Sequence, residues 1–302
     1  MAKMDDAIAE PVPQVLSETA SGISRLVQKL RGVFRGAPAF SLIFLAIAVI
    51  CAVFAPLIAP YSPIETNPMN ILKAPDLSNH WLGTDNQGRD ILSRLIYGAQ
   101  TSVKIGVLSV LLAATVGTVI GLVSGVFGGW TDRIFMRFTD MFLALPYLMV
   151  ALTAVSLLGS SVINVILVIG LLRWMGFARV LRGEVLKLVE MDFVRLALAS
   201  GASRTRVMFK HVFPNIINTL LVLATLEVGL AVIVEASLSF LGLGVPRPLP
   251  SWGSMLRDSQ LYIYLVWWFP VIPGLAITLL VMSANLTGDW LRDRLDPTRR
   301  QL

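Results

Sequence analysis

"DFVRLALASGASRTRVMFKHVFPN", residues 192–215, is the stretch from which the rest of this chain is best read. It carries Arg195, Arg204, Arg206, Lys210 and His211, has Gly201 in mid-stream, and lies between two long apolar runs. Asp192 to Ser200 is built of good helix formers. Phe193, Leu196, Ala197 and Ser200 recur at i, i+3, i+4 and i+7, the spacing of one helical face. Gly201 then supplies a stop, because glycine enters left-handed backbone without a Cβ penalty. Ser203 is placed to N-cap a second helix over "ASRTRVMFKHVF", and Pro214 and Asn215 punctuate the start of the next apolar run. The pattern predicts a short helix, a glycine turn and a lead-in helix. A helix this short is not stable alone and needs a groove to lie in.

The flanking runs identify the solvent. The 302 residues are 55% hydrophobic and 15% charged, with a mean hydropathy of +0.73, which suits lipid better than a soluble core. A helix needs about 20 mostly apolar residues to cross the hydrocarbon. Six segments qualify: Phe40–Ile58, Val103–Val126, Phe138–Leu158, Val162–Val180, Ile216 to about Leu241, and Trp267–Leu286. They are helices because backbone in lipid must satisfy its own hydrogen bonds. The first run is too long, and follows too long a polar tail, for a cleaved signal peptide. The expectation is an all-α polytopic membrane protein with a tail over 1–39 and a first span at 40–58. An outer loop follows at 59–102. A five-helix core over 103–290 includes the segment 190–215, and a second tail covers 291–302. Within the first tail, "GISRLVQKLRGVF" places Ile23, Leu26, Val27, Leu30 and Val33 on one face, as in an interfacial helix, although an unstructured tail fits too.

Charge orients the spans. With the N-terminus inside, all 25 lysines and arginines except Lys73, Arg89, Arg94, Lys104, Arg247 and Arg257 fall on the cytoplasmic side. Both termini and the 192–215 segment are therefore expected in the cytoplasm. The formal net charge of +6 reflects topology and not affinity for nucleic acid.

Inside the membrane, Gly117, Gly121 and Gly125 form two overlapping GxxxG patterns and predict close helix packing, within the chain or with a partner. Pro146, Pro270 and Pro273 permit kinks in the third and sixth spans. Glu227 and Glu235 lie eight residues apart, close to one face of the fifth span. A carboxylate there is costly. It either lines a translocation pathway or hydrogen-bonds a neighbouring helix. Catalytic chemistry has no support: there is no phosphate-binding loop, nucleophile elbow or HExxH, and the lone Cys51 and the separated His80 and His211 make no metal set.

The 192–215 segment resembles the EAA loop of permease subunits in ABC importers, E-A-A-x3-G-x9-I-x-L-P. Gly201, Pro214 and Ala197 match, while Arg195, Leu196, His211 and Phe213 depart. Arginine at the glutamate position is similar to the dipeptide/oligopeptide/nickel branch, and other blocks agree. They are "HWLGTDNQGRDILSRLIYGAQTSV" (80–103), "EASLSFLGLGVPRPLPSWGSML" (235–256) and "NLTGDWLRDRLDP" (285–297). The resemblance implies a type I ABC importer permease fold in the cell inner membrane. It also implies a heterodimer with a second, homologous permease. Two cytoplasmic ATPase subunits, alike or as a heterodimer, would bind ATP and Mg, leaving no cofactor here. An extracytoplasmic solute-binding protein would face the outer loop. Asp192, Arg195, Leu196, Ala197, Gly201, Ala202, Ser203 and Pro214 then become the ATPase-coupling residues. The implied cargo is a di- or oligopeptide, with nickel chelates, glutathione or another small solute as alternatives. An ion-coupled secondary transporter using Glu227 and Glu235 is a different class, and a scaffold without transport is a third.

Overall fold

The computed structural model describes residues 36–295. The expected interfacial helix and the last residues lie outside that range. The described part is helical, with one isolated bridge, Thr84 to Asp90, in place of a sheet.

Helix α1, Ala39–Ile58, is the most lipid-facing element: only 17% of its most apolar window is buried, against 50% in α2, Ile91–Phe127. Pro56 sits inside α1, where its missing N–H frees the carbonyl of Ala52. Gln100 of α2 fills the gap, donating from Nε2 to the Ala52 oxygen at 3.0 Å. The kink at Phe54 (φ −105°, ψ 19°) is thus locked to a neighbouring helix. The sequence reading did not single out Pro56.

Helix α2 begins twelve residues before the expected second span, because Asp90 caps it. The Asp90 carboxylate accepts from the Ser93 N–H and the Ser93 hydroxyl, both at 2.7 Å. The outer loop is therefore shorter than 59–102, and its last third is helix.

The third span is not one rod. Helices α3, Gly129–Leu143, and α4, Tyr147–Leu158, meet at an 87° bend. Pro146 causes the break: it lacks an N–H, and its ring drives Leu145 away from helical backbone. Helix α5, Val162–Val189, is longer than expected and packs along α2. The three glycines make that contact. An added Cβ would lie 2.4 Å from the Phe177 Cβ at Gly117, 2.9 Å from the Ala178 oxygen at Gly121, and 2.5 Å from Val185 at Gly125. The GxxxG surface is therefore satisfied within the chain.

Two short helices, α6, Asp192–Ala199, and α7, Arg204–Val207, precede α8, Phe213–Phe240. Pro214 and Asn215 do not separate α7 from α8. The chain passes through a π-helical stretch, Met208–Val212, that absorbs the missing Pro214 N–H, and Asn215 Nδ2 donates to the His211 carbonyl at 2.6 Å. Helix α9, Trp252–Ser259, leads to α10, Trp268–Leu295. Pro270 falls in the first turn of α10, where no N–H is needed, so of the two expected kink sites there only Pro273 is interior. The buried core runs along the α2–α5–α8 seam through Ile105, Ala113, Phe177, Leu181 and Ala231.

Candidate functional site

The 192–203 segment closes as a Schellman turn. The Ala202 N–H donates to the Ala197 carbonyl and the Gly201 N–H to the Leu198 carbonyl, each at 3.0 Å. Gly201 takes φ +86°, and no atom lies within 4 Å of where its Cβ would be. Ser203 caps α7, accepting from the Arg206 N–H at 3.3 Å. Helix α6 is held from one side only: Val194 is fully buried and Ala197 and Ala202 pack on the same core. Those two alanines of the expected docking set are partly buried. Asp192, Arg195, Gly201, Ser203 and Pro214 are exposed. Among the described residues Leu196 is 65% and Phe193 42% exposed, the latter beside the His211 ring, so α6 presents large apolar side chains on its open side. Arg204 ties the turn to the end of α2, donating from Nη1 to the Phe127 carbonyl at 2.7 Å, where a cation also meets the negative helix end.

The two carboxylates of α8 part company. Glu235 is fully buried and exposes nothing to a pathway. It accepts from the Ser102 hydroxyl of α2 at 2.9 Å and the Ser239 hydroxyl at 2.7 Å, and Ser239 in turn receives the Val245 N–H at 3.1 Å. Its role here is to join α2 to α8, not to share a face with Glu227. Glu227 instead meets Arg173 of α5, whose Nε donates to Oε2 at 2.7 Å and whose Nη2 bonds the same oxygen. Arg173 also stands over the Tyr147 ring, 5.5 Å from its centroid. The pair borders a cavity of about 140 Å³ walled by Phe142, Leu143, Val150, Leu172 and Met175. Arg173 thus lies well inside α5 and is paired across to α8. Opposite charges in two apolar runs were the available signal, since each needs a partner.

The outer block 80–94 folds into a charge network with α9. Both oxygens of Asp85, which is fully buried, accept two hydrogen bonds. Oδ1 takes the Gln87 and Arg89 N–H groups at 2.8 and 3.0 Å; Oδ2 takes Arg89 Nε at 2.6 Å and Arg94 Nη1. The same arginines reach Asp258 at 3.2 Å, and Arg247 joins it at 2.6 Å. His80 Nδ1 lies 2.9 Å from Asp90 Oδ1. At the exposed tip, the Ser78 hydroxyl and backbone N–H hold Asp76 below the usual carboxylate range.

Comparison with known proteins follows this geometry. The family described as "Binding-protein-dependent transport system inner membrane component" matches residues 117–301. That described as "N-terminal TM domain of oligopeptide transport permease C" matches residues 38–75. The chain is 41% identical, over 85% of its length and 84% of the relative's, to the dipeptide transport system permease protein DppC of Alkalihalophilus pseudofirmus. It is 41% identical, over 85% and 86%, to the di/tripeptide transport system permease protein DppC of Pseudomonas aeruginosa. Identity is 36%, over 84% and 85%, to the glutathione transport system permease protein GsiD of Pectobacterium atrosepticum. In structure, it is similar to a chain of the inward-facing MetNI methionine ABC transporter, with TM-score 0.55 and 16% identity over 68% of this chain and 98% of that one.

Proposed function

The chain belongs to the family of binding-protein-dependent transport system inner membrane components, and from that premise we propose that it forms half of the pathway of an ATP-driven importer for di- or oligopeptides. It is a multi-pass inner-membrane transport permease and not a catalytic enzyme. The single observation carrying the coupling role is the α6–Gly201–α7 turn. It offers exposed Phe193 and Leu196 beside Arg195 and is anchored from the other side through Val194, Ala197, Ala202 and Val207 and by Arg204 on the Phe127 carbonyl. Such a surface suits a groove on a soluble ATPase subunit. The lysine and arginine bias puts it, with both termini, in the cytoplasm.

In this reading ATP and Mg are held by two partner ATPase subunits, a second permease completes the pore, and a solute-binding protein delivers cargo outside. Closure of the ATPase pair moves the docked turns and switches the pore, because the docked state favours one conformation over the other. Peptide cargo is the reading that the dipeptide, di/tripeptide and glutathione permeases among its relatives support, glutathione being itself a tripeptide. The test is uptake of labelled alanyl-alanine into proteoliposomes holding this chain with the second permease, ATPase and binding protein encoded beside it. Uptake that requires ATP and all four components is expected. Uptake driven by a proton gradient without the ATPase would instead make the chain a secondary transporter.

A further inference from the structure

The cavity at the bend between α3 and α4 gathers three polar groups with bonds to spare, Arg173, Glu227 and Tyr147, among apolar walls. Glu227 is the fifteenth residue of the 28 in α8, and Arg173 lies similarly deep in the 28 of α5. At about 1.5 Å per residue Glu227 is some 20 Å from either end of its helix, and Arg173 is about 16 Å from the nearer end of its own, which puts the pair in the middle part of the bilayer. Their ion pair is incomplete. Arg173 gives Nε and Nη2 to one oxygen, Oε2, so neither Nη1 nor Glu227 Oε1 has a protein hydrogen bond among the described residues. The Tyr147 hydroxyl, on the same cavity, is buried without a partner. Asp85 in the outer network shows what a purely structural carboxylate looks like here: four bonds to two oxygens.

We propose that Arg173, Glu227 and Tyr147 form a binding station for the two ends of a zwitterionic peptide in transit, and this rests on the permease reading above. The peptide ammonium is received by Glu227, and its carboxylate by Arg173 and the Tyr147 hydroxyl. The physical reason is charge balance. At the midplane a lone charge is costly, so the pair must stay closed while the cavity is empty. A zwitterion brings one charge of each sign and opens the pair without leaving either side chain uncompensated. A solute lacking the ammonium would strand Glu227. Apolar walls strengthen the exchange, because charges interact more strongly away from water. The bend that exposes the pair comes from Pro146, whose neighbour Tyr147 starts α4.

The experiment uses the complete importer in proteoliposomes, in a Cys51→Ala background. First, Val150→Cys on the cavity wall is treated with 2-aminoethyl methanethiosulfonate. Blocked alanyl-alanine uptake places the cavity on the path; unaffected uptake removes it from the path and overturns the proposal at its premise. Second, the charge swap Arg173→Glu with Glu227→Arg is compared with each single change. A structural bolt is restored by the swap in both thermal stability and uptake. A binding station is restored in stability alone, with uptake still down about tenfold. Third, Tyr147→Phe removes a hydroxyl that no protein group uses, so folding is unchanged while the apparent KM rises about threefold. Fourth, Glu227→Gln raises the uptake of N-acetyl-alanyl-alanine relative to alanyl-alanine about tenfold over the wild-type ratio, which cancels the preference of the binding protein. Wild-type uptake in both the swap and Tyr147→Phe, with an unchanged ratio in Glu227→Gln, would overturn the station while leaving the permease reading intact.

Discussion

The outer block 80–94 and the inner turn 192–203 carry the same kind of sequence signal, a polar motif between apolar spans, yet they differ in what satisfies them. In the outer block the buried charged groups are met inside the chain: Asp85 and Asp258 hold Arg89, Arg94 and Arg247, and Asp90 accepts from Ser93 with the His80 ring beside it. In the inner turn Asp192 and Arg195 are exposed, Leu196 is uncovered and Gly201 borders open space. A motif whose bonds are closed internally is architecture. One whose apolar and charged groups are left open is built for another molecule. The two carboxylates of α8 repeat the contrast on a smaller scale, Glu235 enclosed by hydroxyls and Glu227 facing a cavity.

Substitutions can break this comparison, and they rank by their effect on unfolding in detergent. Asp85→Ala leaves two buried guanidinium groups with Asp258 as their one remaining carboxylate and should cost about 3–5 kcal/mol, read from the shift in thermal or denaturant unfolding. A loss under about 1 kcal/mol would show that the outer network is not a structural closure. Glu235→Leu leaves the Ser102 and Ser239 hydroxyls unpaired in a dry site, for which about 1–3 kcal/mol is expected in the same assay. Gly201→Asp puts a side chain into left-handed backbone at about 1–2 kcal/mol. The protein should still insert in the membrane while ATP-dependent uptake is abolished, and normal uptake would sink the coupling role. Leu196→Ser should change stability by no more than about 0.5 kcal/mol, yet lower the ATPase response to the binding protein about tenfold if a groove covers that side chain. An equal loss of stability and coupling would place Leu196 with the architecture instead.

Much of the fold could be read along the chain. Apolar run length located the spans, and Gly201 and Ser203 located the turn, because a left-handed stop and an N-cap are local events. Span limits were read less well where a polar residue opened a helix. Asp90 starts α2 well before its apolar stretch, because capping and not hydropathy sets a helix end. The break at Pro146 and the π-helical passage before Pro214 show the other limit. A proline announces a missing hydrogen bond, but whether the helix breaks, widens or borrows a donor, as Pro56 does through Gln100, depends on neighbours far off in sequence.

By itself, the amino-acid order determined that this is a helical membrane chain and where its short polar turn between two spans lies. These follow from solvent and from rules acting within a few residues. Only the tertiary structure decided that the glycine stripe packs on α5, that Glu235 is sealed, and that Arg173 belongs with Glu227. A buried charge or a small residue says only that something must lie close to it; what that is depends on the three-dimensional packing of helices separated by up to 133 residues of chain, as Ser102 and Glu235 are.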